Sequence, residues 1–307
     1  MVRFLALRMV YMAVVMLGVT ALVFVMSRSS GDPRYFYMSA YSRPGSEAWE
    51  ARGRAMNLDR ALPMQFLLWA RDAATGNFGD SILYNRNSLG VIEETAGATL
   101  QLSVVAFLGA LLIGIPLGIL SAVSRGTLWD LGGRLFALIG QAAPPFLIGI
   151  ILIFVFGVKL GWLPTSLRGD WTHFVLPAFT LAWLGSAGLV RLTRSAMLEV
   201  LDSEYIKLAR AKGVSRTMII WKHAFRNAMI APLTLAALWF AGFFTGTVVV
   251  ETVFAWPGLG RLAVQAALNT DFPLITGLAL ISAAIYLFSS LVADLLYAAI
   301  DPRVRIS

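Results

Sequence analysis

The feature that most constrains this chain is a set of six long stretches without Asp, Glu, Lys or Arg, at residues 9–27, 95–124, 135–158, 171–190, 227–250 and 272–293. A helix needs about 20 apolar residues to cross the roughly 30 Å hydrocarbon core of a bilayer. Because 58% of the 307 residues are hydrophobic and only 14% are charged, a water-soluble fold could not cover its surface with polar side chains. The sequence therefore predicts an all-α integral membrane protein with six transmembrane helices.

The first stretch has two interpretations. Arg3 and Arg8 precede it, as basic residues precede the apolar core of a cleavable signal peptide. That core is longer than the apolar core of a usual signal peptide, however, and no clean small-x-small cleavage site follows in residues 27–33. We therefore expect an uncleaved first span.

Lys and Arg are distributed unequally between the two sides of the predicted spans. If the N-terminus is cytoplasmic, the inner segments carry 14 of these residues and the two short outer loops carry three, Lys159, Arg168 and Arg261. Another eight arginines lie in residues 28–98, a segment too long for the positive-inside rule to count. This distribution predicts cytoplasmic termini, and it accounts for the net charge of +8 without a nucleic-acid partner.

The chain divides into a first part, residues 1–94, and a core, residues 95–307. The first part holds the first span and an extracytoplasmic segment with helical signals. Ser46 is placed to cap one helix, Pro63 suits the first turn of a second, and Gly76 suits its end. We interpret this segment as a small cap on the outer helix ends rather than an independent binding domain. The core holds five spans and a basic cytoplasmic loop, residues 191–227.

Motifs for catalysis and metal binding are absent from the sequence. It has no phosphate-binding loop, H-E-x-x-H zinc motif or G-x-S-x-G nucleophile elbow. It has no cysteine and only two histidines, so we expect no metal site and no enzymatic activity. Carboxylates are also scarce at membrane depth, with Glu251 and Asp294 near span ends, whereas ion-coupled carriers need such groups. A self-powered secondary carrier is therefore disfavoured, and the energy for any transport must come from elsewhere.

Two proline-containing segments are candidates for a translocation path or gate. Pro144 and Pro145 lie inside the third predicted span, where they free backbone carbonyls that a water-filled path can satisfy; a kink that only adjusts packing is the alternative. The turn W-P-G-L-G at residues 256–260 follows Glu251, and either an outer gate or a purely structural turn suits it. The candidate path or gate residues are Pro144, Pro145, Glu251, Trp256, Pro257 and Gly258.

The basic loop contains an amphipathic helical pattern. Ser203 is placed to cap a helix that carries Tyr205, Leu208 and Ala209 on one face, and Gly213 suits its end. A short amphipathic helix on the cytoplasmic side fits a groove on a soluble partner. From the residues alone, an interfacial helix that lies on anionic lipid is an equal alternative.

Residues 204–213 (E-Y-I-K-L-A-R-A-K-G) and 223–228 (H-A-F-R-N-A) resemble the "EAA" coupling motif of binding-protein-dependent ABC transporter permeases, in the form of the dipeptide/oligopeptide/nickel subfamily. Only Ala209 and Gly213 fit the general Glu-Ala-Ala form. Alanine also replaces the subfamily's usual proline at Ala61, and phenylalanine its usual leucine at Phe78. The resemblance nonetheless covers nearly the whole chain, through residues 58–60, 77–81, 114–118, 158–164, 187–201, 250–260 and 301–303.

This resemblance implies a type I ABC importer permease of the B type in a bacterial inner membrane. It implies a second homologous permease, two cytoplasmic ATPase subunits that bind ATP and Mg, and an extracytoplasmic binding protein, with no cofactor on this chain. The implied coupling helix comprises Glu204, Tyr205, Ile206, Ala209, Arg210, Ala211, Lys212 and Gly213. In this helix Tyr205, Ile206 and Ala209 would supply apolar docking, and Arg210 and Lys212 would reach polar groups at the groove rim.

The resemblance also implies a class of substrate. Members of the subfamily carry di- and oligopeptides, nickel chelates, glutathione-like compounds or oligosaccharides, and the binding protein mostly selects among them. We expect peptides.

Overall fold

The computed structural model describes residues 2–29, 31–36, 44–245 and 247–300, and α-helices dominate this part of the chain, as predicted. The α-helices run from α1 to α14 in chain order: Val2–Ser29, Glu47–Ala55, Leu62–Ala74, Ser88–Val123, Leu128–Ala142, Pro145–Leu152, Thr172–Leu201, Glu204–Ala211, Arg216–Met218, Arg226–Ala228, Ile230–Thr245, Thr247–Val253, Leu259–Leu268 and Phe272–Ile300. A 3₁₀ turn forms at Pro33–Phe36, and wider π-helical stretches at Ile153–Lys159 and Ile219–Phe225. Strands β1 (Asp80–Ser81) and β2 (Arg86–Asn87) form an antiparallel hairpin with Ser81 opposite Arg86.

Among the described residues, α1, α4, α7 and α14 are each long and apolar enough to cross a membrane by themselves. Two bent helix pairs complete six spans. The first pair joins residues 128–142 to 145–159 at 113°, and the second joins 216–228 to 230–244 at 46°. Six spans therefore agree with the prediction, provided that each bent pair counts as one.

The third span differs from the single crossing expected at residues 135–158. Its first helix begins earlier, at Leu128, and ends at Ala142, after which Pro144 adopts an extended conformation and Pro145 starts α6. A proline has no N–H to continue the helical hydrogen bonds, and its ring clashes with the preceding turn. The Pro144–Pro145 pair therefore breaks the span sharply, at 113°, which is a larger change of direction than a kink that only adjusts packing.

The chain separates into two compact units, and the first contains residues 1–98 and 257–287. The predicted caps are found in it: the Ser46 hydroxyl accepts a hydrogen bond from the Trp49 N–H at 3.3 Å, Pro63 lies in the first turn of α3, and Gly76 follows its end with φ +81°. A buried core joins α4, α13 and α14 through Val91, Ile92, Leu259, Leu262, Ala266, Leu274 and Leu278. The extracytoplasmic helices thus share a unit with residues 257–287.

A buried acidic residue fixes the small hairpin in this first unit. Asp271 is fully buried, and its carboxylate accepts hydrogen bonds from the Ser81 hydroxyl and from the Leu83 N–H, the latter at 3.0 Å. The same side chain accepts from the Leu274 N–H at 3.2 Å, in the first turn of α14. Asp271 therefore caps a spanning helix and holds the hairpin with one carboxylate.

The second unit contains residues 99–256 and 288–307, of which 99–245, 247–256 and 288–300 are described. Helix α7 is central to it, and small residues let neighbouring helices approach closely. A Cβ built on Gly118 of α4 would lie 2.6 Å from the Thr193 Cβ, and one built on Gly188 would lie 2.2 Å from the Trp239 ring. Such close approach is typical of helix interfaces in membranes.

Candidate functional site

The predicted coupling helix is present as α8, between two turns on the basic side of the second unit. Ser203 occupies the position before its first residue, but its hydroxyl does not cap the helix; it donates instead to the Val200 carbonyl at 2.6 Å. Gly213 follows the helix with φ +78°, in the left-handed region that glycine adopts without strain. The expected start and end of the helix are therefore confirmed, whereas the expected serine cap is wrong.

One residue of α8, Ile206, lies on a different face of the helix from the one expected. Ile206 is fully buried, in a cluster with Met197, Leu201 and Ile219, so it anchors the helix to the chain's own core and presents no docking surface. Tyr205 and Leu208 are 45% and 56% exposed and form the apolar surface instead. A short amphipathic helix buries one face and exposes the other, and only tertiary packing decides which apolar residue faces inward.

The remaining residues of the predicted coupling helix are mostly exposed. Glu204 pairs with Lys207 at 2.7 Å on the exposed surface. Arg210 donates from Nη2 to the Leu201 carbonyl at 3.3 Å, at the end of α7. Ala211 and Lys212 are exposed and Ala209 is half-buried. Arg210 was expected to reach outward to a partner, but its hydrogen bond to Leu201 competes with that contact.

Further contacts tie the coupling helix to the inner ends of the spans. The Tyr205 hydroxyl accepts a hydrogen bond from the Asn227 Nδ2 at 3.0 Å, which joins α8 to α10 at the start of the fifth span. Beyond the Gly213 turn, Arg216 donates from Nη2 to the Val123 carbonyl at 3.0 Å, at the last residue of α4. These two hydrogen bonds connect α8 and the segment after it to two helices that cross the membrane.

A buried ion pair next to this segment was not identified from the sequence. The Asp130 carboxylate accepts from Arg194 Nε at 2.7 Å and Nη2 at 3.0 Å, from the Ser121 hydroxyl at 2.7 Å and from the Gly126 N–H at 3.0 Å. Only 3% of the Asp130 side chain is exposed. The available sequence signal was a lone acidic residue after the short loop that follows the second span.

This ion pair forms because α7 is longer than expected. The fourth span was predicted to end at Val190, with a loop from Arg191, but α7 continues to Leu201. Thr193, Met197 and Leu201 recur every four residues on its buried face, and this packing extends the helix beyond the apolar stretch. Arg194 therefore projects from a helix, which fixes the direction of its side chain. A position in the expected loop would not have fixed it.

On the outer side, the candidate gate residues of the second unit are packed tightly. Glu251 and Trp256 are fully buried, and Glu251 accepts from the Thr99 hydroxyl at 2.7 Å. The Trp256 ring packs edge-on against Phe174, 4.6 Å between centroids, and the Trp256 backbone N–H donates to the Glu251 backbone carbonyl at 2.8 Å. The segment from Glu251 to Trp256 is therefore a compact plug of aromatic and polar groups at the outer end of the fifth span.

The other predicted gate residues occupy different places. Pro257 and Gly258 begin the next segment of the first unit, where Gly258 precedes α13. Pro144 and Pro145 form the break in the third span described above. Among the residues that the structure describes, no group of three His, Cys, Asp or Glu side chains is placed to hold a metal ion.

Comparison with known proteins assigns this arrangement to a family. Residues 114–306 match the family described as "Binding-protein-dependent transport system inner membrane component". Over 304 residues, 95% of each chain, the protein is 38% identical to the oligopeptide transport system permease protein AppB of Bacillus subtilis (strain 168). It is 38% identical over 275 residues to the glutathione transport system permease protein GsiC of Escherichia coli (strain K12), covering 90% of this chain and 89% of that one.

Solved structures agree with this assignment at the level of the fold. The inward-facing MetNI methionine ABC transporter aligns with a TM-score of 0.56 and 18% identity, covering 69% of this chain and 96% of that chain. An amino acid ABC transporter crystallised with histidines aligns with a TM-score of 0.53 and 18% identity, over 70% and 94%. The fold and these relatives define the class of type I ABC importer permeases, multi-pass proteins of the bacterial inner membrane. Within this class, the chain belongs to the binding-protein-dependent transport system inner membrane component family.

Proposed function

We propose that this chain is one of two permease subunits of an ATP-driven importer of di- and oligopeptides, and that α8 receives the work of ATP hydrolysis. Three relatives support the substrate class by their names: the oligopeptide permease, the glutathione permease and a putative peptide permease of Brucella suis biovar 1 (strain 1330), 34% identical over 95% of both chains. Glutathione is itself a modified tripeptide, so a glutathione-like substrate is the second candidate. The family assignment gives no support to a secondary carrier.

The observation that carries the coupling proposal is the contrast between the two sides of α8. Its inner side is anchored by buried Ile206, while Tyr205 and Leu208 remain exposed within a basic surface. An exposed apolar pair on an anchored helix suits a groove on a soluble subunit. In this proposal two cytoplasmic ATPase subunits provide the groove and bind ATP and Mg, a second permease completes the path, and an extracytoplasmic binding protein delivers the peptide.

The mechanical route follows from the hydrogen bonds of the segment. When the ATPases close, α8 moves as a rigid lever because its inner face is packed. The Tyr205–Asn227 contact passes this motion to the fifth span, and the Arg216–Val123 contact passes it to the second. At the outer ends, the Glu251–Trp256 plug would open and close the path, and the break at Pro144–Pro145 would let the third span adjust.

The docking role of α8 is tested with Leu208→Glu, which places a charge in the proposed groove. The complex is purified with its candidate ATPases, second permease and binding protein, and peptide uptake into proteoliposomes is measured. We expect Leu208→Glu to lose ATPase association and uptake at least tenfold, while the matched variant Leu208→Met retains both. Normal ATPase association of Leu208→Glu would refute docking through this face.

The substrate is tested separately, with the binding protein. Calorimetry with trialanine, reduced glutathione and a nickel–histidine chelate measures which of these the binding protein retains. We expect the peptide to bind, and retention of glutathione alone would favour the second candidate. Binding of the nickel chelate alone would contradict a peptide importer while leaving the coupling proposal intact.

A further inference from the structure

A polar cleft of about 300 Å³ lies within the first compact unit, lined by the outer end of α1, by α2 and α3, and by the start of α14. This volume is at the lower end for small-molecule sites. The lining combines aromatic rings with both signs of charge, from Arg28 and Arg52 and from Asp72 and Asp80. No role assigned above to the coupling helix or the outer plug uses this cleft.

One wall of the cleft holds a buried hydrogen-bond acceptor. Gln65 is only 7% exposed, and its Nε2 donates to the Leu58 and Arg60 carbonyls at 3.3 and 2.8 Å. Because a carbonyl can only accept, these two contacts fix which end of the amide is nitrogen. The Gln65 Oε1 is buried and receives no hydrogen bond from the described part of the chain. A buried acceptor of this kind is costly unless a ligand or water donates to it.

A second wall holds a buried donor with a positive charge. The Arg28 Nε is buried, and no acceptor among the described residues reaches it. The Arg28 guanidinium carbon lies 5.2 Å from the Phe24 ring centroid, and Phe24 packs against Phe66 and Trp69 at 5.4 and 5.6 Å. This aromatic cluster restrains the guanidinium. A matching ligand therefore presents an anionic acceptor to Arg28 and a donor to Gln65.

The position of the cleft along α1 indicates where such a ligand comes from. The apolar span of α1 covers residues 4–29, longer than a bilayer core requires, so Arg28 in its last turn lies at the level of the lipid headgroups. One to two turns below, Leu22 and Val25 are 58% and 59% exposed on the apolar helix. A polar cleft at headgroup level, at the end of a helix whose apolar surface is mostly exposed, suits a lipid rather than a water-soluble molecule.

We infer that this cleft binds the headgroup of a zwitterionic aminophospholipid such as phosphatidylethanolamine. The phosphate accepts charge-assisted hydrogen bonds from Arg28. The ammonium donates to the Gln65 Oε1 and is balanced by the Asp72 carboxylate, and the acyl chains lie against the exposed apolar surface of α1. Phosphatidylglycerol carries the phosphate but no ammonium, so the cleft discriminates against it. A free peptide also carries both charges, and competition with a soluble peptide separates it from a lipid.

The first experiment measures lipid retention by native mass spectrometry of the full chain, titrated with equimolar dioleoyl-phosphatidylethanolamine and dioleoyl-phosphatidylglycerol. We expect one phosphatidylethanolamine to be retained at least tenfold in preference. Arg28→Gln should reduce this retention at least tenfold, whereas Arg54→Gln, an exposed arginine of α2 outside the cleft, should leave it unchanged. Equal retention of the two lipids, or equal losses in the two variants, would overturn the assignment.

A second variant keeps the assignment testable if Arg28→Gln fails to fold. Asp72→Asn removes a partly exposed carboxylate, and we expect it to weaken phosphatidylethanolamine and strengthen phosphatidylglycerol, so that the preference falls at least fivefold. A merely destabilised protein would lose both lipids together. Competition with millimolar trialanine and phosphoethanolamine distinguishes a peptide ligand from a lipid headgroup. Displacement of the lipid by trialanine would make the cleft a peptide subsite and contradict the lipid assignment. Weak displacement by phosphoethanolamine alone supports the lipid assignment.

Discussion

The Arg194 guanidinium donates two hydrogen bonds to the Asp130 carboxylate, at 2.7 and 3.0 Å, and so joins the first turn of α5 to the inner part of α7. The pair is shielded, with 3% of the Asp130 side chain and 23% of the Arg194 side chain exposed. Two more donors, Ser121 and the Gly126 N–H, satisfy the remaining acceptor sites of the carboxylate. The inner end of the second unit is therefore braced by a fully bonded charge next to the coupling segment.

Removing one member of this pair should destabilise the protein strongly. We expect Asp130→Asn to cost about 2–4 kcal/mol, because it leaves a shielded guanidinium without its counter-charge. The double variant Asp130→Asn/Arg194→Gln should lose less than the sum of the two single changes, as coupled neighbours do. Unfolding midpoints in detergent measure both effects.

The matched control for this prediction is an exposed ion pair on the same side. Asp202 pairs with Arg125 at 3.4 Å, and about two thirds of each side chain is exposed. Asp202→Asn should cost less than about 1 kcal/mol, because water screens such pairs. A loss as large as that of Asp130→Asn would show that burial does not set the strength of these contacts.

Gly213 is expected to control coupling through its backbone conformation alone. Its φ of +78° disfavours residues with a Cβ, but a Cβ built there meets nothing within 4 Å. Gly213→Val should therefore insert normally yet misdirect α8 and uncouple ATP hydrolysis from uptake, while Gly213→Asn, which tolerates the left-handed region, retains most activity. Unchanged transport by Gly213→Val would count against a fixed lever.

Close packing between α4 and α7 predicts different tolerances for two glycines of one helix. A Cβ on Gly118 would approach the Val190 carbonyl oxygen to 2.9 Å, in addition to the Thr193 side chain, whereas a Cβ on Gly109 would meet the Ala182 Cβ at an ordinary 3.4 Å. We expect Gly118→Ala to cost about 1–3 kcal/mol through overpacking. Gly109→Ala should be near neutral, and thermal unfolding of the two variants side by side checks the difference.

The start of α7 should respond to acid. The Asp170 carboxylate accepts from the Thr172 side chain and from His173 and the Thr172 N–H, and these contacts lower the pKa of Asp170. A lowered folded-state pKa adds stability that is complete above the unfolded-state pKa of about 3.9 and is lost as the pH falls through the lower, folded-state value. The difference in unfolding midpoint between the parent protein and Asp170→Ala should thus be present at pH 6 and shrink below pH 4. A difference independent of pH would exclude a role for the charge.

Much of the fold and part of the site could be predicted because they depend on local chemistry. Apolar length determined the number of spans, and the Lys and Arg distribution determined their orientation. The start of α2 at Ser46, of α3 at Pro63 and the end of α8 at Gly213 follow from the backbone preferences of single residues. The pattern at residues 204–213 likewise located the short helix α8.

The tertiary structure decided every feature that depends on which distant groups meet. The burial of Ile206 within α8, the extension of α7 to Leu201 and the Asp130–Arg194 pair all arise from packing between segments far apart in the chain. The sequence by itself determined a six-span membrane protein with a short helix in a basic loop, because hydrophobicity, charge and glycine act locally. Which faces of its helices turn inward, and which charges pair there, was set by side chains that become neighbours only when the chain folds.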